Sequence, residues 1–291
     1  MQLASSGTSF NYRQDPGGFY ITAMVNALFQ KEEQAQYVEA VTAFDHCFQL
    51  AKQNRLEEAV FAYSACNSIS STLAPSLLDW VMAFYGQRLC YYHYKSKNYE
   101  AGASLTKQIS KSVNRLYENG HQIMFFVDIQ QRLNLSRIYF AQHKVEKAIS
   151  LCTESVIDMY HKSGAFHSQQ FINDVPENEL LEITQYGMMV EVLTDACNRI
   201  LSSSKEDAGQ VEKATITLIT PLIDLDFSSI SNDLKYTGIN KFLSLLGGLT
   251  GYRELQDSDI LYFMNSPYAD KKMLMVLNNY IAMANVLDGS P

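Results

Sequence analysis

Proline and glycine are scarce: 6 and 14 residues in a chain of 291. Few turn formers over such a length mean few chain reversals, which favours long helices over many short strands. No apolar run reaches the roughly 18 residues that a membrane span needs. The N-terminus, MQLASSGTSFNYRQDPGG, has no basic segment leading into an apolar one and does not read as a signal peptide. No CxxC pair occurs among the five cysteines, Cys47, Cys66, Cys90, Cys152 and Cys197. Odd in number, widely spaced and set in apolar stretches, they read as small buried hydrophobes of a reducing compartment. A cytoplasmic location is the expectation.

Positive charge is also in deficit. Lys and Arg total 23 against 31 Asp and Glu, a net charge of −8. An acidic surface repels phosphate backbones and anionic lipid, so neither nucleic acid nor membrane is an expected partner.

Catalytic and metal motifs are missing as well. There is no Gly-x-Ser-x-Gly, HExxH or phosphate-binding loop. Ser104 and Lys107 have Ser-x-x-Lys spacing, with Tyr236-Thr237-Gly238 as a faint echo of a partner motif, but no Ser-Asp-Asn follows. Gly247-Gly248-Leu249-Thr250-Gly251 reads as a helix stop or tight turn. Of the six histidines (His46, His93, His121, His143, His161, His167), His161 and His167 are spaced too awkwardly to share a helical face. The acidic group Asp174, Glu177, Glu179 and Glu182 reads as complement to a helix N-terminus, with Pro176 in the first turn. The expectation is no catalytic residue, no metal and no cofactor.

What the chain does contain is apolar and aromatic material: hydrophobic residues are 47%, with 18 Tyr and 15 Phe. That excludes disorder through high charge and low hydrophobicity. Leu, Ala, Gln, Glu and Lys fill the long stretches and favour helix. Runs such as Tyr91-Tyr92-His93-Tyr94 put aromatics on several helix faces at once, so some must be exposed or buried in an association with a partner or another copy of the chain. A homo-oligomer is thus one expected state. Helices are predicted near 20–29, 33–53, 56–70, 76–95, 98–118, 121–142, 144–162, 178–204, 208–221, 231–246, 256–264 and 267–287. The segment 163–178 is the longest loop candidate.

Three segments align on a charged residue followed by Ala: Glu58-Ala59, Glu100-Ala101 and Lys147-Ala148. A weaker fourth surrounds Ala214, within a Val-Glu-Lys-Ala tetrapeptide shared with the third. Leu50, Tyr92 and Tyr139 each precede the key Ala by nine residues. Tyr63 follows Ala59 by one turn, Ser136 holds a small-residue slot, and polar turns (KQNR, KSKN, AQHK) separate the halves. The segments resemble tetratricopeptide repeats, in which a small side chain lets two helices nest and an aromatic fills the adjoining groove. The departures are the spacings of 42, 47 and 66 between key alanines against about 34 in the family, Leu89 in a small-residue slot, and the missing closing Pro.

The resemblance implies an all-α fold, a right-handed α–α superhelix with a helical C-terminal cap. Residues 1–37 would be an N-terminal segment and capping helix, 38–225 the repeats and 226–291 the cap. It implies a non-catalytic scaffold that binds a protein or peptide in a concave groove. The first helix of each pair would line that groove with Phe44, Phe48 and Lys52, then Gln87, Cys90, His93 and Tyr94, then Gln130, Asn134 and Arg137. The partner-binding set is expected to be Lys52, Gln87, His93, Tyr94, Gln130, Asn134 and Arg137. Amide groups would bond a peptide backbone, aromatics take its side chains, and Arg a carboxylate. The longer units also resemble those of peptide-sensing signalling regulators, here without a DNA-binding domain of its own.

Overall fold

The computed structural model describes residues 16–162, 170–171, 175–203, 207–231 and 233–287. Among them are twelve α-helices: α1 (Pro16–Leu28), α2 (Lys31–Lys52), α3 (Leu56–Thr72), α4 (Pro75–Lys95), α5 (Tyr99–Glu118), α6 (Met124–Ala141), α7 (Val145–Lys162), α8 (Glu177–Ser203), α9 (Ala208–Ile219), α10 (Leu234–Leu249), α11 (Asp257–Met264) and α12 (Lys271–Leu287). The only pairing of extended strands among these residues is a two-residue antiparallel one, β1 (Gln170–Phe171) with β2 (Val175–Pro176). Pro176 therefore precedes α8 rather than opening it, and Asp174 and His167 lie outside the described residues. The chain divides into two compact units, Met1–Gln131 with Ser168–Thr184, and Arg132–His167 with Gln185–Pro291.

In the first unit, α2 packs antiparallel on α3, α4 on α5, and α2 lies beside α4. Three turns share one backbone design. Asn54, Lys97 and His143 each adopt a positive φ of about 60°. The residue after each donates its N–H five positions back, to Leu50, His93 and Tyr139, and begins the next helix by accepting from Ala59, Gly102 and Ala148. A left-handed residue just past a helix end satisfies orphan carbonyls and reverses the chain.

This shared turn fixes a common register for the three aligned segments. Ala59 and Ala148 are fully buried, as the sequence pattern requires. In the second copy the equivalent is buried Gly102, and Ala101 is only half-buried. The alignment on Ala101 is thus one residue out of step. Corrected, the residue nine before the small one is Leu50, His93 and Tyr139, so His93, not Tyr92, takes the aromatic slot. The small slot twelve before it holds Cys47, Cys90 and Ser136, which removes the apparent misfit of Leu89. Cys47 Sγ reaches the Ala59 carbonyl at 3.7 Å, and Cys90 Sγ meets Thr106 Oγ1 at 3.5 Å.

Burial explains why these helices stay together. Phe44, Leu77, Val81, Ile109, Val113, Ile123, Met124 and Ile129 have almost no exposed surface. Each such side chain contributes about 1.5–3 kcal/mol relative to exposure. Gly86 lets α4 and α5 close up, since a Cβ there would sit 2.8 Å from Ile109. On α1, Tyr20 stacks on Trp80 of α4, and its hydroxyl meets His121 Nδ1 at 2.9 Å.

The second unit buries Ile149, Val156, Leu193, Cys197, Leu218, Phe227, Phe242, Leu246 and Tyr280. Tyr280 satisfies its hydroxyl on Thr215 at 2.7 Å. In the weak fourth copy it is Thr215 that is fully buried, while Ala214 is half-buried. Gly247 and Gly248 do not stop α10. They lie in its last turns, where a Cβ on Gly248 would strike Leu255 at 2.6 Å, and Gly251, at φ 69°, follows the helix end. The last helix begins at Lys271, not Pro267: Asp270 accepts from the Lys272 amide at 2.7 Å and caps it.

Candidate functional site

Helices α2 and α4 run side by side, so the residues between them form one face. Tyr37 donates its hydroxyl to that of Tyr85 at 3.0 Å, with the rings edge-on at 5.9 Å. About three turns further along α2, Phe48 meets Tyr91 edge-on at 5.1 Å. Tyr91 continues to Tyr94 at 6.3 Å, and Tyr94 to Tyr99 of α5 at 6.1 Å. Each of these two ring groups carries a cation. Arg88 lies 4.4 Å over Tyr85 and pairs with Asp45, while Lys52 Nζ lies 5.5 Å over Phe48. Phe48, Tyr85, Tyr91, Tyr94 and Tyr99 are each half-buried. Each ring thus packs on the protein and keeps part of its surface in solvent, a use of aromatics common at interfaces. Burial pushes the Tyr37 hydroxyl far above its ordinary range, so it remains a neutral donor.

The expected site residues separate into three groups. Lys52 and Tyr94 belong to this aromatic face. Gln87, half-buried on α4, reaches the Phe84 carbonyl at 3.5 Å, the outer limit of a hydrogen bond. His93 is buried, with its ring edge-on to Tyr63 of α3 at 4.8 Å. Burial pushes its imidazole below the ordinary value of 6.5, which keeps it neutral near pH 7. It packs the α3–α4 interior, as its corrected register position requires. Of the two flanking positions, Phe44 is core and Cys90 is buried, its thiol pushed up to about 11 by burial.

Gln130, the last of the set in the first unit, is half-buried on α6. Asn134 and Arg137 belong to the second unit and bond each other at 3.1 Å. Arg137 is engaged from within. Its Nε and Nη2 reach both carboxylate oxygens of Asp195 at 3.1 and 3.2 Å, and Nη2 reaches Glu191 at 3.3 Å. Arg199 joins the same Asp195 at 2.8 Å. This cluster ties α6 to α8 and leaves little of the guanidinium fork for an incoming carboxylate. Sequence reasoning did not foresee Asp195 and Glu191 because nothing local marks them as neighbours of Arg137.

The Ser-x-x-Lys pair lies on the outside of α5, with both Ser104 and Lys107 exposed. No group of three or more His, Cys, Asp or Glu that could hold a metal ion occurs among the described residues. No described helix is long and apolar enough to cross a membrane. Neither a family model, nor a curated protein, nor a solved structure matches this chain.

Proposed function

We propose that this chain is a non-catalytic module that binds a protein or an extended peptide, with helix pairs stacked as in a tetratricopeptide superhelix. The aromatic face of α2 and α4 carries the reading. Half-buried Phe and Tyr rings gathered along two neighbouring helices, with Arg88 over Tyr85 and Lys52 over Phe48, have the composition of an interface core rather than of an ordinary surface. Lys52 and Tyr94 are the expected contact residues retained there. Arg137 and Asn134 act instead on the protein's own architecture.

The test uses a random peptide-display library on the full-length chain, followed by affinity measurement with a recovered peptide. The variant Tyr91→Ser with Tyr94→Ser should weaken binding at least tenfold, since interface tyrosines of this kind carry ~1–2 kcal/mol or more each. Its melting curve should stay close to that of the unchanged protein. Undiminished affinity in a folded variant would move the binding surface elsewhere.

A further inference from the structure

Three of the five cysteines turn their thiols to hydroxyl groups. Cys90 meets Thr106, Cys152 meets Ser136 and Cys197 meets Tyr280. Cys47 and Cys66 instead meet each other, thiol to thiol, across the contact of α2 with α3. Neither residue has any exposed surface. The antiparallel packing accounts for the meeting. Cys47 Sγ reaches the Ala59 carbonyl at 3.7 Å. Cys66 follows Ala59 by about two turns and so lies on the same face of α3. A helical side chain leans toward the N-terminus of its helix, which brings Cys66 back to the level of Cys47.

We propose that Cys47 and Cys66 are an oxidisable dithiol, which hydrogen peroxide closes into a disulfide tying α3 to α2 and a thiol reductant reopens. The helix that must move is the one least held. Helix α3 buries two of its residues, Ala59 and Cys66, whereas α5 and α7, which like α3 are the second helices of their pairs, bury seven each. Its residues Val60, Phe61, Ser64, Ala65 and Ser68 are exposed. An S–S bond is about 2.05 Å long, so the sulfurs must close up, and a helix covered on one side can shift inward. The same weak hold lets α3 open locally and admit the oxidant. The hydrogen bond that Cys66 offers holds the Cys47 thiol below its ordinary range, so Cys47 reacts first. Its sulfur bonds to one peroxide oxygen and the O–O bond breaks. Cys47 becomes a sulfenic acid, and the hydroxide released takes up the thiol proton as water. When α3 recloses, the Cys66 sulfur attacks the Cys47 sulfur. The S–O bond breaks, and its oxygen leaves with the Cys66 proton as a second water. Two thiols and one peroxide thus give one disulfide and two waters.

The test uses the full-length chain, reduced, freed of reductant and treated with hydrogen peroxide while folded. It is then unfolded in N-ethylmaleimide, which blocks the remaining thiols before they can exchange. The count of free thiols should fall by two, from five to three. Mass spectrometry should find one peptide pair joined through Cys47 and Cys66, and dithiothreitol should restore all five thiols. Closure should raise the melting temperature by about 5 °C and slow amide exchange along α3 by about tenfold. Cys66→Ala should form no link within the chain, whereas Cys90→Ala should still lose two thiols. A count that stays at five, a link through any other pair, or oxidation of either cysteine to a sulfinic acid without a link overturns the proposal. If Cys66→Ala does not fold, the peptide map of the unchanged chain decides alone.

Discussion

Arg137 of α6 grips Asp195 of α8 through both carboxylate oxygens, across 58 positions of sequence. Both side chains retain about a quarter of their exposure, 27% and 21%. Removing the guanidinium leaves Asp195 with Arg199 alone and Glu191 without this partner. Arg137→Ala should therefore destabilise the protein by ~1–3 kcal/mol, a range held below that of a fully buried pair because solvent screens part of it. Urea denaturation monitored by helical circular dichroism reads this directly. A change within ~0.5 kcal/mol would show the pair to be an ordinary surface contact.

The register of the second helix pair is open to a simple comparison. Gly102→Leu forces a large side chain into a buried slot and should cost ~1–3 kcal/mol or more. Ala101→Leu, one residue earlier and half-buried, should change stability by ~0.5 kcal/mol or less. Thermal melts of the two variants side by side should show a large drop only for Gly102→Leu. The opposite order would restore the Ala101 alignment.

Stability should fall as the solution is acidified below about pH 6.5. His93 and His121 are both pushed below their ordinary value by burial. In the window between the ordinary and the depressed values the unfolded chain binds protons that the folded chain refuses, so stability rises with pH there. It is fully present above about 6.5 and is lost as pH descends through the window. His93→Phe should flatten that slope in melting temperature against pH, because the phenyl ring fills the site without titrating. An unchanged slope in this variant would assign the effect to other groups.

Gly238 on α10 is held against the chain segment before α12. A Cβ at that position would lie 2.4 Å from the Tyr268 carbonyl oxygen, a clash with backbone rather than with a yielding side-chain tip. Gly238→Ala should lower the melting temperature despite the better helix propensity of alanine, with a net loss of ~1–3 kcal/mol. Limited proteolysis should become faster around residues 250–270. A stabilised variant would mean that the segment can move away freely.

Most helices were legible because their apolar spacing and bounding turns are local signals. The stretch expected at 76–95 is α4 at Pro75–Lys95, and that expected at 144–162 is α7 at Val145–Lys162. The error at Ala101 arose from chemistry that a pattern cannot rank. Glu100-Ala101 copies Glu58-Ala59, and nothing in the sequence says that the adjacent glycine is the one buried. The turn residues that fix the register, Asn54, Lys97 and His143, carry positive φ without being glycine, so they are silent as well. A slip of one residue rotates a helix by about 100°. That rotation is why His93 was expected at a groove and lies in the interior. The aromatic face was only half legible. Composition announced a surplus of rings, but which of them share a side depended on how α2 and α4 lie together. The same limit hid Asp195 from Arg137.

The five unpaired cysteines, all buried, give the protein a set of internal reporters. A thiol reagent can modify each one only in the moments when its surroundings come apart, so the rate of labelling measures the local opening equilibrium. Cys47, Cys66 and Cys90 report from the first unit, and Cys152 and Cys197 from the second. Mass spectrometry of the labelled peptides would then give a site-by-site map of where the native molecule breathes, without any mutation.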